Sequence, residues 1–476
     1  MAISRRTFLR RSAAGAALLG MGALPDVTAE AARLPRAQLR ALERAVRGRV
    51  LAPGESGYNA ARVVFNRRFD GIRPPAVVRV RDAADVRAVV RWANRYDMPL
   101  VPRSGGNAYN GASTSRDGVV VDLGGLDRIS LSGTTAILGP GARNIDVYAR
   151  LARRGATIPS GSCPNIAVGG LVLGGGIGLA ARELGMTLDR VTGFEVVTAD
   201  GRSRTVDART EEDLFWALRG GGGSFALVTQ VRLRARRVGR VAWFRITVPR
   251  GSREEMLAAF DDVGPGAPDA LMSICTLTGS GGSAFGQYFG SERALRRVIA
   301  PLARVPGARV TSGTSSYFAL QRRWAGCADG GLAACRSVPR STFHASSIYV
   351  GDRLSAAGRR DFVAAANTGA TLICDAYGGT INRVAADETA FVHRDTRFSV
   401  QILSYAPIGT ARSRVRRARA LIARHGNGQA YQNYTDLDLS GPLNAWYGDN
   451  LPRLRRIKSE VDPENRFMFA QSIRPA

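Results

Sequence analysis

Lysine is nearly missing from this chain: of 67 basic residues only Lys458 is a lysine, so the formal net charge of +28 is carried almost wholly by arginine. Those arginines are scattered rather than clustered, and no nucleic-acid-binding motif accompanies them, so a nucleic-acid partner is not supported. Histidine is scarce too. His344, His393 and His425 lie far apart without ligand spacing, and no metal is expected unless folding brings distant ligands together. No uninterrupted apolar run approaches the roughly 18 residues of a membrane span, which argues against stable membrane insertion. No G-x-G-x-x-G opens a helix after an early strand, so a Rossmann nucleotide site and a nicotinamide-dependent reaction are not supported. Cysteine occurs five times. Cys327 and Cys335 flank the small-residue loop of GCADGGLAAC and are the expected disulfide pair, while Cys275 and Cys374 read as core thiols. With 45% hydrophobic and 22% charged residues, the 476-residue chain has enough apolar material for substantial cores.

What is abundant is glycine, 55 residues, and two loops carry informative runs of it. Residues 76–80 (AVVRV) predict a strand, and Asp82 caps a helix whose Val86, Val89, Val90 and Ala93 recur at helical spacing up to Pro99. The next strand, PLVPR, runs into the Gly105-Gly106 turn of PRSGGNAYNG (Pro102 to Gly111). That layout points backbone N–H groups at an anionic pyrophosphate. About fifty residues later comes GSCPNIAVGGLVLGGGIGLAARELG, where Cys163 precedes Gly169, Gly170, Gly174, Gly175, Gly176 and Gly178. Such backbone can approach a flat, phosphate-bearing ligand closely, with one soft nucleophile beside it. FAD is the ligand these loops predict.

Together with RGGGGSFALVT (Arg219 to Thr229), AYGGTINRV, TAFVHR, YQNYTDLDL and the ending WYGDNLPRLRRIKSEVDPENRFMFAQSI, these blocks make the chain from Pro74 onward resemble the berberine-bridge-enzyme-like branch of FAD-linked oxidases. The resemblance implies an α+β fold: a two-lobed PCMH-type FAD-binding domain over 70–240, then a substrate domain with an antiparallel sheet backed by helices over 241–428. A C-terminal segment, 429–476, is implied to return to the FAD domain. It also implies that FAD is held by Arg103, Ser104, Gly105, Gly106, Asn107, Tyr109, Cys163, the glycines after it, Val228 and Asn433. For catalysis it implies Tyr434 as the base facing the flavin, with Gln401 and Tyr377 as further polar groups. A tyrosine near its free pKa of about 10 needs a nearby cation or hydrogen-bond donor to act as phenolate.

The chain departs from the family at several points. Many members attach FAD through a histidine at the position of Asn107, where no such bond can form. Cys163 is retained and is available for a single thioether, its thiolate favoured by glycine-loop N–H groups; the other reading is an inert thiol beside a non-covalent flavin. Leu171 and Ile177 replace a histidine and a tyrosine of plant-like members, which predicts a drier pocket. Ile166 falls where the family borders the oxygen-access side of the ring.

At the N-terminus, SRRTFLRR, the mildly apolar stretch Ala13 to Leu24 and the AEA at 29–31 resemble a twin-arginine export signal over 1–31. The competing reading is a basic tail ahead of a buried helix. Export through the twin-arginine translocase suits a protein whose cofactor is inserted before crossing, and predicts a periplasmic or extracellular location. The whole reads as an exported flavoenzyme that oxidises an alcohol, sugar or secondary metabolite with O2 as acceptor. Two alternatives stay open: a dehydrogenase using a quinone or other acceptor, and a secreted binding protein that has kept the fold without turnover.

Overall fold

The computed structural model describes residues 33–476; the export signal expected over 1–31 lies outside them. A helix, Arg36–Ala45, is followed by β1 (Arg49–Leu51). β1 runs antiparallel to β2 (Val77–Arg79), and β2 and β3 (Leu100–Arg103) flank β4 (Val119–Asp122) in parallel. The crossover helix Ala83–Arg95 starts where Asp82 Oδ1 accepts from the N–H groups of Ala84 and Asp85 at 2.9 and 3.1 Å. Its Val86, Val89, Val90 and Ala93 are fully buried.

A second, antiparallel sheet is built from β5 (Ile129–Ser132), β6 (Thr135–Leu138), β8 (Val191–Val197), β9 (Ser203–Val206) and β10 (Leu227–Arg234), in the order β5-β6-β10-β8-β9. A short pair, β7 (Ala156–Thr157) with β11 (Arg236–Arg237), sits beside it. The third sheet is antiparallel throughout: β12 (Arg240–Pro249), β13 (Leu271–Leu277), β14 (Gly281–Tyr288), β15 (Arg309–Ser316), β16 (His344–Val350), β17 (Thr371–Ala376) and β18 (Phe398–Ser404), ordered β15-β12-β14-β13-β17-β18-β16. Side chains alternate across it. Cys275, Leu277, Leu372, Cys374, Val400 and Ile402 enter one core with the helices Arg253–Gly266, Ala356–Asn367 and Ile408–Ile422. Residues of opposite parity face the glycine loops.

Two buried arginines join these layers. Arg394 makes a two-pronged ion pair with Asp189, at 2.7 and 3.0 Å. Arg182 donates to the carbonyls of Leu271, Ala267, Pro265 and Pro268, so its charge is met by oriented dipoles, and burial lowers its pKa to about 10. The C-terminal segment returns to the first sheet: Leu100 N donates to Arg466 O and Met468 N to Leu100 O. Cys327 and Cys335 are bonded, and Cys275 faces Cys374 across β13 and β17 as free thiols. Among the described residues no helix is long and apolar enough to cross a membrane.

Candidate active site

Between the glycine loops and the third sheet lies a cavity of about 400 Å³. The first loop leaves β3 at Arg103, which is buried and donates from Nη2 to Asp122 Oδ2 at 2.8 Å, leaving Nη1 buried without a partner. Gly106 turns the chain at φ +69°. Asn110 then ties the loop to the C-terminal segment, donating from its backbone N to Thr435 Oγ1 and from Nδ2 to Gln471 Oε1. In the second loop Asn144 holds the backbone before Cys163's neighbours turn, its Nδ2 donating to Cys163 O at 3.1 Å.

The glycines divide into two groups. A Cβ at Gly169 would lie 2.4 Å from Ser104 Oγ, one at Gly174 2.2 Å from Asn433 Oδ1, and one at Gly178 1.8 Å from Ser160 O. These positions let the two loops and the Asn433 turn pack together. Gly175 and Gly176 likewise press on Tyr431 and Thr187 and, with Gly178, do not line the cavity. Gly170 and Gly223 differ: both line the cavity, and a Cβ at either would meet nothing within 4 Å. Open glycine backbone on this wall, with the buried unpartnered Asn107 Oδ1 and Arg103 Nη1 nearby, fits a flat, phosphate-bearing group. Ser104, Gly105, Asn107, Tyr109, Cys163, Gly169, Gly170, Gly174, Val228 and Asn433 all line it, as do Ile166, Leu171 and Ile177, whose side chains make this wall apolar.

Strand register builds the opposite wall. One cross-strand row runs Phe285, Ile274, Asp375, Ser399; the next runs Thr276, Ile373, Gln401, Ser347. Gln401 Nε2 donates to the Tyr109 hydroxyl at 2.8 Å, bridging the sheet to the first loop. Tyr434 enters from a turn in which Tyr434 N donates to Tyr431 O and Tyr431 N donates to Ser347 Oγ. Its hydroxyl lies 3.5 Å from Asp375 Oδ2, toward which Ser399 Oγ also points at 3.4 Å. Both contacts are at the long limit of hydrogen bonding.

Asp375 was not anticipated from sequence. It is 4% exposed, and burial raises its pKa from 3.8 to about 7 against the opposing effect of the Ser399 and Tyr434 hydroxyls. A lone carboxylate in the otherwise uncharged strand TLICDA was the available signal. For Tyr434 the expected stabilising cation does not appear among its neighbours. Burial first, then the Asp375 charge, push its pKa well above 10. Cys163 shows the same reversal: its exposed surface faces the cavity, and burial followed by Asp375 raises the thiol where the loop N–H groups were expected to lower it. Tyr377 lies outside the cavity, fully buried, with its hydroxyl 3.0 Å from that of Tyr349.

Folding does gather one set of distant metal-type ligands. His344 Nε2 lies 3.4 Å from Asp436 and 3.5 Å from Asp438. Arg68 already donates to His344 Nδ1 at 2.9 Å and Arg412 pairs with Asp438 at 2.6 Å, so guanidinium groups supply the positive charge, and the cluster pins the turn after Tyr434.

Residues 74–207 match the FAD binding domain family and residues 430–474 the family described as berberine and berberine like. The structure superposes on BBE-like 1 of Physcomitrella patens with a TM-score of 0.87 and 32% identity, covering 92% of this chain and 98% of that one. The chain is 29% identical to the uncharacterized FAD-linked oxidoreductase YgaK of Bacillus subtilis, over 90% of this chain and 97% of the relative. It is 28% identical to the chitooligosaccharide oxidase of Gibberella zeae, over 89% and 92% respectively. With both family models matched and about nine-tenths of its length shared with BBE-like 1 at 32% identity, the chain belongs to the berberine-bridge-enzyme-like FAD-linked oxidoreductases.

Proposed function

We propose that this protein oxidises a carbon bearing a hydroxyl group, with Tyr434 and Asp375 together removing the hydroxyl proton. The observation that carries this is the buried Asp375 carboxyl, with a pKa near 7, beside the Tyr434 hydroxyl on the cavity wall. Bound FAD supplies the hydride acceptor. Tyr434 is too weak an acid to stand as phenolate, so it acts as a relay: its oxygen accepts the substrate proton while its own proton passes to Asp375. Gln401 fixes Tyr109 against the same pocket, and the two orient the substrate oxygen.

O2 is the acceptor in this reading, in keeping with the oxidase among the relatives. Stoichiometric hydrogen peroxide after substrate addition is the expected result; dye reduction without peroxide would make the protein a dehydrogenase. In this reading Cys163, which lines the cavity, bonds the flavin covalently. Acid precipitation should leave yellow flavin in the pellet of the wild type and in the supernatant of Cys163→Ala, and flavin released from both would remove the thioether. The export reading rests on Arg5 and Arg6. An Arg5→Lys, Arg6→Lys double variant should accumulate inside the cell, and undiminished export would contradict that route.

A further inference from the structure

We infer that the helix Ile408–Ile422, with the exposed turn leading into it, docks this protein on an anionic lipid surface. This helix breaks the even spread of arginine. It holds Arg412, Arg414, Arg416, Arg417 and Arg419 and no acidic residue. Its Val415, Ala418 and Ile422 are buried in the core under β16 and β18, the last two strands of the third sheet, so its opposite face meets solvent near the sheet's free edge. Ile408, Arg412, Arg416 and Arg419, spaced by four, four and three positions, share one flank. Arg412 has a carboxylate partner in Asp438; the other four arginines make no ion pair among the described residues. The same helical layer supplies the contrast. Across the helix Ala356–Asn367, the helix Arg253–Gly266 carries Glu254, Glu255, Asp261 and Asp262. Positive charge is thus concentrated at one edge of the layer, where it attracts anionic headgroups within a Debye length.

Apolar contact is available beside that charge. Of the four large hydrophobic side chains exposed among the described residues, Tyr405 at 63% and Ile408 at 36% stand three positions apart at the start of this helix, with Pro407 exposed between them. Phe343 supports the Tyr405 ring at a centroid distance of 5.8 Å. A tyrosine and an isoleucine next to unpaired arginines have the make-up of an interfacial anchor: the apolar groups enter the headgroup region while guanidinium groups pair with phosphate. A soluble polyanion would engage the arginines and leave the apolar pair in water. That difference favours a lipid surface. Tyr405, Ile408, Arg416 and Arg417 do not line the cavity, so docking and the reaction are tested separately.

The test is co-sedimentation of the FAD-loaded protein with vesicles of equimolar phosphatidylglycerol and phosphatidylcholine, against vesicles of phosphatidylcholine alone. Wild type should partition to the mixed vesicles about 10-fold or more strongly. Arg416→Gln with Arg417→Gln should weaken this by about 10- to 30-fold, and Tyr405→Ser with Ile408→Ser by about 10-fold, both with bound flavin and melting temperature unchanged. The control removes the same charge at the other edge of the sheet: Arg293→Gln with Arg297→Gln, exposed on the helix Glu292–Val298 beside β15, should cost less than about 3-fold. An equal loss from the two arginine pairs would reduce the binding to the general attraction of a basic protein and overturn the inference. Equal partition to both kinds of vesicle, or none to either, would overturn it too. Binding that survives Tyr405→Ser with Ile408→Ser and is competed away by soluble polyphosphate would make the helix a polyanion site and overturn the lipid assignment.

Discussion

Asp375→Asn is expected to slow reduction of the bound flavin by about 10²- to 10⁴-fold, the usual range for losing a general base, while the protein stays yellow. The reason lies in the pair it forms. Tyr434 has its pKa held above 10 by burial and by the Asp375 charge, so at neutral pH the tyrosine alone accepts no proton. Asparagine keeps the shape and loses the acceptor. Tyr434→Phe should fall in the same range, and the double variant should be little worse than either single one, because the two groups act as one relay. The pH profile adds an independent readout. With a pKa of about 7, wild-type flavin reduction should decline as pH falls through 7, and Asp375→Asn should lose that inflection.

The same group affects stability in the opposite sense. Its folded pKa lies above the unfolded value of about 4, so the folded state holds the extra proton between these limits. Asp375 therefore contributes stability below pH about 4 and loses it as pH rises through about 7. The Asn variant should be more resistant to urea than wild type at pH 8, with the difference shrinking toward pH 4. A variant that reduces its flavin at the wild-type rate would clear Asp375 and Tyr434 of the role given them.

Lys458→Met is expected to destabilise the protein by about 3 kcal/mol, the lower end of the range for breaking a buried ion pair. The only lysine is fully buried against an equally buried Asp462, and it also donates to Ser224 O at 2.6 Å and Phe467 O at 3.2 Å. Three segments thus meet on one ammonium: the helix Leu451–Val461, the glycine loop ending at Ser224, and the strand-like return that pairs with Leu100. Removing it leaves Asp462 charged and buried. The carboxylate keeps the N–H groups of Arg466 and Phe467, which is why the loss sits at the low end. Because Ser224 lines the cavity, flavin fluorescence during urea unfolding should shift to lower denaturant together with the protein signal. An unchanged midpoint would show the pair to be dispensable.

Features that depend on neighbours in the chain were legible in the sequence. The Asp82 cap, the helix it starts (which ends at Arg95, short of Pro99), the Gly105-Gly106 turn and the Cys327–Cys335 bond each rest on residues a few positions apart. The substrate wall depends instead on which strands pair and in what register. Ile274, Phe285 and Asp375 are separated by up to about a hundred residues, and only the β14-β13-β17 order makes them adjacent. Tyr377 shows the converse. It shares parity with Asp375, yet it lies one residue past the end of β17, where the chain turns and sends the ring into the core beside Tyr349. The direction of the Tyr434 and Cys163 shifts was likewise out of reach, since both follow first from burial in the folded cavity wall and then from a carboxylate that sequence spacing does not place near them.

The most direct test is the visible spectrum of the purified protein before and after an alcohol is added without oxygen. A band near 450 nm that bleaches on addition is the predicted result. A colourless protein that takes up no added FAD would contradict the account.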